Sequence, residues 1–190
     1  MFNSINQLVE RALSEGISLS EVMVRQEIEA TGQSYLDIYS LMKTNLDTME
    51  SAVAEGLEGV HSTTGLTGMD AVKMQKYIES GKGLSGELNL LAIANAVSTN
   101  EVNAAMGKIC ATPTAGSAGV VPGVLFAMVK KDPEITEEQK IRFLFTSGAF
   151  GFVVANNASI SGAAGGCQAE VGSASAMAAA ALVELAGGTP

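Results

Sequence analysis

The sequence predicts an all-α fold, a multi-helix and bundle-like domain. Apolar residues recur at the three-and-four spacing of amphipathic helices through most of the first sixty positions. No segment longer than about four residues shows the alternation typical of a strand. Apolar residues make up 47% of the 190 residues but aromatic residues only 5%, so small side chains supply the core. Such side chains indicate helices that pack closely.

Start and stop signals predict three helices in residues 1–59. Glycines at Gly16 and Gly32 are stop signals for the first two helices. A serine followed three residues later by an acid opens the second and third helices, at Ser18 and Ser34. The third helix is long and amphipathic. We interpret residues 1–59 as an N-terminal module whose apolar stripe packs on the remainder of the chain.

Residues 60–190 form a second predicted domain, whose residue pattern differs from that of residues 1–59. Glycines and prolines punctuate shorter helices, and a second capping-box type, Thr136 with Gln139, opens one of them. An alanine-rich run after Gly172 predicts a last helix that is buried among the others, because alanine is the best helix former. The predicted helices cover 69–80, 85–107, about 122–129, the segment after Thr136, and the alanine-rich run up to Gly187.

Charge and hydropathy exclude several classes of partner. The net charge is −9, from 11 basic and 20 acidic side chains, whereas nucleic acids and anionic membranes require a basic surface. We therefore expect neither as a partner. The longest apolar run, 143–155, is shorter than the roughly 20 residues of a membrane span. The N-terminal residues lack the pattern of a signal peptide, so we expect a cytoplasmic protein.

Cys167 is the first candidate for chemistry. Two glycines precede it and a helix-forming run follows, so its sulfur is expected near a helix N-terminus, which favours a metal-binding thiolate. A free cysteine is more often a small packed hydrophobe, and local sequence alone favours that alternative. The other cysteine, Cys110, follows an apolar helix end and is interpreted as a packing residue. Two cysteines cannot hold a four-cysteine cluster or a zinc site by themselves.

Other common catalytic arrangements are missing from the sequence. The single histidine, His61, lies in a polar segment and is interpreted as solvated surface. No G-x-S-x-G motif supports a hydrolase, and no glycine-rich segment carries the Lys-Ser/Thr pair of a P-loop. The scaffold of a pyridoxal phosphate enzyme is also not indicated.

Two polar segments, 112–119 and 156–163, carry more hydroxyl and amide groups than helix capping requires. Capping remains the alternative interpretation. Such loops suit a small zwitterion, whose carboxylate accepts hydrogen bonds from hydroxyl and backbone N–H groups. We expect these Gly-rich polar loops to lie at the active site. The side chains selected as substrate contacts are Thr112, Thr114, Asn157, Ser159 and Ser161.

Three segments together resemble a known family. They are 157–190, which contains SGAAGGCQAEVGSASAMAAAA, then 100–123, NEVNAAMGKICATPTAGSAGVVPG, and the short Gly83–Gly86 motif. Over essentially the whole chain, the sequence resembles the alpha subunit of the iron–sulfur-dependent L-serine dehydratases. The N-terminal helices resemble the form of that family in which a separate beta subunit is the partner.

The resemblance implies a [4Fe–4S] cluster held by three cysteines, of which Cys167 matches one. The other two belong to a downstream segment that this sequence does not contain. The implied activity is dehydration and deamination of L-serine to pyruvate and ammonia, with a cluster iron acting as Lewis acid. The base is expected from the beta subunit, so no catalytic base is assigned here. Residues 60–190 would then be the N-terminal portion of an incomplete cluster-binding catalytic domain.

The last two residues carry a helix-start signal. Thr189 followed by Pro190 is typical of a helix start, so we expect a chain truncated at its C-terminus.

One alternative to the serine dehydratase function is a cysteine desulfidase-like lyase with similar iron chemistry. Another is that the 190-residue chain alone is a cluster-free, inactive structural piece. Its apolar helix faces also suggest a homo-oligomer or a complex with the beta subunit.

Overall fold

The computed structural model describes all 190 residues and contains eight α-helices and no strands. The predicted all-α class is confirmed. None of the helices combines the length and apolar character needed to cross a bilayer. In chain order the helices are α1 (Ile5–Glu15), α2 (Leu19–Thr31), α3 (Tyr35–Glu58), α4 (Asp70–Glu79), α5 (Glu87–Ala104), α6 (Val120–Lys131), α7 (Glu137–Asn157) and α8 (Gly162–Leu185).

Local capping explains why the helix starts lie where the sequence predicts them. The hydroxyl of Ser18 accepts a hydrogen bond from the third amide of α2 at 3.2 Å. Ser34 and Asp37 bond each other's backbone N–H at 3.2 Å, which forms a reciprocal cap before α3. Thr136 and Gln139 form a complete capping box at the start of α7. These contacts span only three residues, so the predictions made from sequence spacing are confirmed.

The helices form two compact units. One contains residues 1–46 and 136–190, and the other contains residues 47–135. Helix α3 contributes its first half to the discontinuous unit and its second half to the continuous unit. The boundary expected after residue 59 divides the chain by sequence character rather than by compactness, and it stays a prediction.

The discontinuous unit is built around α7, which packs against α1, α2 and α8. Phe2 anchors the N-terminal residues there. Its ring meets Phe152 edge-on with 5.6 Å between centroids, and its backbone N–H donates to Oε1 of Gln26 at 2.8 Å. Phe143 and Phe145 are fully buried in the same unit. Residues from the two ends of the chain therefore share one core.

Helix α8 buries only one of its faces, which corrects the expectation of a helix buried among others. Met177 packs against α7, where a Cβ on Gly151 would lie 2.9 Å from its terminal methyl. Residues about four apart on the opposite face, from Val171 to Val183, are exposed. Alanine is compatible with either environment, and the run carries no polar stripe. The sequence pattern therefore could not show which face meets solvent.

In the continuous unit, α5 and α6 cross in backbone contact. A Cβ on Gly119 would lie 2.2 Å from the carbonyl oxygen of Ala96. A Cβ on Gly123 would lie 2.8 Å from that of Ala92. The two glycines are four residues apart and face two alanines four residues apart, which is the spacing of one helix face. Small side chains at all four positions allow the close crossing.

A buried acid from α5 caps helix α4 in the same unit. Glu101 is only 6% exposed, and its two carboxylate oxygens accept hydrogen bonds from the backbone N–H groups of Asp70 at 2.7 Å and Ala71 at 3.1 Å. The residue preceding α4, Met69, makes no side-chain cap. A negative charge at a helix N-terminus is favourable because it satisfies unpaired N–H groups and complements the helix dipole.

Glu101→Ala is expected to lower the free energy of unfolding by about 2 kcal/mol, because one part-buried and one buried N–H group lose a charged acceptor. Chemical denaturation followed by circular dichroism measures the change. The matched control is Glu79→Ala, which removes an exposed acid from α4 itself and should change stability by less than about 0.5 kcal/mol. Equal effects of the two variants would contradict the capping role.

Candidate active site

Cys167 is the first residue of a long helix. Within Gly162–Leu185 the backbone leaves the helical region at Gly166, whose φ is 76° and ψ is 171°. This residue divides α8 into a one-turn segment, Gly162–Gly165, and a helix that starts at Cys167. The cysteine is exposed. The position near a helix N-terminus is the one predicted from the two preceding glycines.

Gly165 and Gly166 precede Cys167, and each position requires glycine for a different structural reason. The backbone conformation of Gly166 is essentially restricted to glycine, and any other residue there costs about 1–3 kcal/mol. A Cβ on Gly165 would lie 2.6 Å from the Cβ of Ala169, so the short turn folds closely over the following helix. Nothing lies within 4 Å of a Cβ on Gly166, so the space beside the cysteine is open.

The polar residues before this turn hold the end of α7 and the loop that follows. Asn157 donates through Nδ2 to the carbonyl oxygens of Val153 at 2.8 Å and Asn3 at 2.9 Å. The hydroxyl of Ser159 accepts from the N–H of Ser161 at 3.3 Å. The hydroxyl of Ser161 in turn accepts from the N–H of Ala163 at 3.2 Å. All three predicted site side chains are exposed and lie in the same unit as Cys167.

The other predicted polar loop lies in the continuous unit and has an internal hydrogen-bond network. Buried Thr112 donates through its hydroxyl to the carbonyl oxygen of Ala118 at 3.3 Å. Ser117 donates to the carbonyl oxygen of Thr112 at 3.0 Å, and its Oγ lies 3.1 Å from Oγ1 of Thr114. The peptide bond between Thr112 and Pro113 is cis. Thr112 and Thr114 thus belong to a different compact unit from Cys167.

The remaining titratable candidates occupy ordinary surroundings. His61 is exposed and pairs through its backbone with Gly68, in agreement with a surface residue. Cys110 is half-buried, and burial raises the pKa of its thiol, although a hydrogen bond with the side chain of Thr48 acts in the opposite direction. These observations agree with a packing role for Cys110.

The two thiols are expected to react at different rates. Iodoacetamide at neutral pH should alkylate Cys167 at least tenfold faster than Cys110, because Cys167 is exposed while Cys110 is half-buried with a raised pKa. Mass spectrometry of peptides after timed quenching measures both rates. The denatured chain, in which the two rates converge, is the control. Faster labelling of Cys110 in the folded chain would contradict the arrangement.

Comparison with known proteins connects this arrangement to one family. Residues 14–190 match the family model described as serine dehydratase alpha chain. The chain belongs to this family. It is 67% identical over 190 residues to the probable L-serine dehydratase alpha chain of Bacillus subtilis (strain 168). It is 38% identical over 191 residues to the L-serine dehydratase alpha chain of Peptoniphilus asaccharolyticus, and 34% identical over 194 residues to L-serine dehydratase 1 of Escherichia coli (strain K12).

The chain spans less than two thirds of the length of these serine dehydratase relatives. All of this chain is matched in each case, but it covers 63% of the Bacillus subtilis protein, 65% of the Peptoniphilus asaccharolyticus protein and 42% of the Escherichia coli protein. The resemblance stated from the sequence is confirmed at the level of the family.

The donor atoms of this serine dehydratase chain fit one ligand position of an iron–sulfur cluster. Cys167 offers an exposed sulfur at a helix start, with open space beside it. No group of three or more His, Cys, Asp or Glu side chains is arranged to hold a metal ion. Within these 190 residues the candidate site therefore offers a single thiol, that of Cys167.

Glu170 also lies beside the turn that precedes Cys167, although the sequence did not single it out. Its carboxylate lies over the one-turn segment, since a Cβ on Gly162 would be 2.8 Å from its Oε2 atom. The only signal in the sequence was the spacing of three residues from Cys167, which places both side chains on the same side of the helix.

Proposed function

We propose that this chain is the cluster-carrying part of an L-serine dehydratase, which converts L-serine to pyruvate and ammonia together with a beta chain. Membership in the serine dehydratase alpha chain family supports the proposal. So do the names of the relatives, which are L-serine dehydratases. The observation that carries it is the exposed Cys167 thiol, presented at a helix start by a turn that only glycine can form.

In this proposal Cys167 would hold one iron of a [4Fe–4S] cluster. Two further cysteine ligands would come from the part of the family chain that lies outside these 190 residues, because thiolates are the usual ligands of such clusters. An iron with an open coordination position supplies Lewis-acid polarisation of a hydroxyl group, which is otherwise a poor leaving group. A Cβ on Gly166, the residue before Cys167, would meet no atom within 4 Å.

The hydroxyl groups of the chain would bind and orient the substrate. Ser159 and Ser161 use their oxygens as acceptors for backbone N–H groups, which leaves each O–H available to donate. A substrate carboxylate is a suitable acceptor for such donors. Asn157 is proposed as a further substrate contact or as support for the cluster ligand. The three residues 157, 159 and 161 share a segment with Cys167.

The overall reaction is an elimination followed by hydrolysis. Removal of the α-proton and departure of the β-hydroxyl as water leave aminoacrylate, which tautomerises to an imine. Water then hydrolyses the imine to pyruvate and ammonia. The base that removes the α-proton is assigned to the beta chain, and no side chain of these 190 residues is proposed for that step.

The test uses the full-length alpha chain, co-expressed with the beta chain and purified without oxygen. Pyruvate release from L-serine, followed by coupled reduction to lactate, is the expected result. Release of sulfide from L-cysteine with a higher kcat/KM than L-serine would instead support the desulfidase-like alternative. Absence of turnover with both substrates, in a preparation that contains iron, would overturn the lyase proposal.

A third possibility concerns the 190-residue chain by itself, as a folded but cluster-free piece. One cysteine ligand in the site is too few for stable cluster binding, so iron analysis of this chain after anaerobic reconstitution should show no stoichiometric iron. Four iron atoms per chain would contradict this expectation and would indicate ligands that the structure does not bring together.

A further inference from the structure

We propose that Glu170 is the positioning residue for the Cys167 turn. Its carboxylate holds the one-turn segment Gly162–Gly165 against the helix that starts at Cys167, and so fixes the direction of the thiol. The consequence for a bound cluster rests on the function proposed above. The positioning of the turn does not depend on that function.

The carboxylate of Glu170 lies against the one-turn segment. An ideal Cβ on Gly162 would be 2.8 Å from Oε2 and 3.5 Å from Cδ of Glu170. The carboxylate thus occupies the space that a side chain at 162 would need. Glu170 is half-buried, although the next two residues of the helix are exposed. The side chain of Glu170 is therefore packed against the protein rather than fully extended into solvent.

Besides Glu170, few contacts hold the one-turn segment. Its residues are exposed except Gly162, which is half-buried. The side chain of Ser161 caps it through the N–H of Ala163, and Gly165 packs on Ala169. Isolated single turns are unstable in water, because helix nucleation is costly. The non-helical backbone at Gly166 also separates the segment from the long helix. Glu170 provides a contact across this interruption.

Glu170 lies three residues after Cys167 on the same helix. Residues three apart lie on the same side of a helix. A contact made by Glu170 with the preceding turn therefore acts on the side of the helix that carries the thiol. Loss of that contact would free the turn to pivot at Gly166, and the start of the long helix, where the cysteine lies, would fray.

The test measures amide hydrogen exchange of residues 162–166 at short labelling times in the full-length chain, with mass spectrometry as the readout. Glu170→Ala is expected to speed exchange at least fivefold, whereas Glu170→Gln, which keeps the shape and hydrogen-bonding oxygen, should remain within twofold of the original chain. Gln168→Ala removes an exposed neighbour of Cys167 and is the matched control. Equal exchange in the Glu170→Ala variant and the original chain would overturn the proposal, as would equal effects of the Ala and Gln variants.

A second substitution approaches the same contact from the opposite side. Gly162→Ala should speed exchange when Glu170 is present, because the new methyl group displaces the carboxylate. In the Glu170→Ala background the same substitution should slow exchange, because alanine favours the helical turn over glycine. This reversal of sign is the signature of a direct contact. Additive effects of the two substitutions would overturn the proposal.

Alkylation of Cys167 at fixed pH, in the full-length chain prepared without iron, supplies an independent readout of the thiol. Both Glu170 variants remove a negative charge, so the difference between them reports on positioning rather than on charge. We expect a rate change of at least threefold between Glu170→Ala and Glu170→Gln; identical rates would contradict control of the thiol by this contact. Neither readout uses iron or turnover, so failure of the dehydratase proposal would leave this result interpretable.

Discussion

Cys167→Ala in the full-length alpha chain is expected to abolish both bound iron and pyruvate formation from L-serine. A cluster held by three thiolates would lose one of its three protein ligands, so we expect it to be lost from the protein. Iron per chain, the visible absorbance of the cluster and the coupled pyruvate assay measure the effect. A loss of at least a thousandfold in kcat is expected, with the far-ultraviolet circular dichroism spectrum unchanged, because the exposed side chain contributes little to packing.

Cys110→Ala is the matched control for that substitution. Its thiol is half-buried and lies in the other compact unit, where burial raises the pKa of the thiol. Loss of the packed sulfur should lower the free energy of unfolding by about 1 kcal/mol, with iron content unchanged. Retention of cluster and turnover in Cys167→Ala would contradict the assignment of the ligand. Loss of iron in the Cys110 variant alone would move the assignment to that residue.

Gly119→Ala is expected to lower the free energy of unfolding by about 3 kcal/mol, the upper end of the usual cost of overpacking. The new Cβ would lie 2.2 Å from the carbonyl oxygen and 3.0 Å from the Cα of Ala96, so α5 and α6 must separate. Gly119 has an ordinary right-handed conformation, with φ −80° and ψ −19°, so the cost is steric rather than conformational. Denaturation by urea, followed by circular dichroism, measures the change.

Gly148→Ala is the corresponding control in α7. No atom lies within 4 Å of the Cβ that this substitution adds, and the residue is inside a helix. Alanine there should raise stability by about 0.5–1 kcal/mol, because glycine loses more backbone entropy on folding. A Gly119→Ala variant as stable as the Gly148→Ala variant would show that the crossing of α5 and α6 tolerates a methyl group.

Sequence reasoning succeeded for features that depend on near neighbours in the chain. Ser18, Ser34 and Thr136 cap helices through contacts three residues away, so spacing alone predicts the starts of α2, α3 and α7. The helical start at Cys167 follows from the two glycines before it. In contrast, the capping of α4 by Glu101 joins residues thirty positions apart, and no local pattern reveals it.

The candidate site was predictable only in part for the same reason. Ser159, Ser161 and Cys167 share one segment, and their residue types suggested a site. The contact between Glu170 and Gly162 arises only after the chain folds back at Gly166, so a linear pattern does not show it. The alanine-rich part of α8 was misread because an all-apolar run does not distinguish a buried face from an exposed one.

The discontinuous unit has a consequence for the order of events during synthesis. Helices α1 and α2 leave the ribosome first, but their packing partner α7 begins 91 residues after the last residue of the first segment, Leu46. The continuous unit, 47–135, has all of its partners available earlier. At about 5–20 residues per second the N-terminal apolar faces wait several seconds without a partner. The part of the molecule that is made first is thus completed last, and the nascent chain is most open to proteases and to aggregation at its beginning.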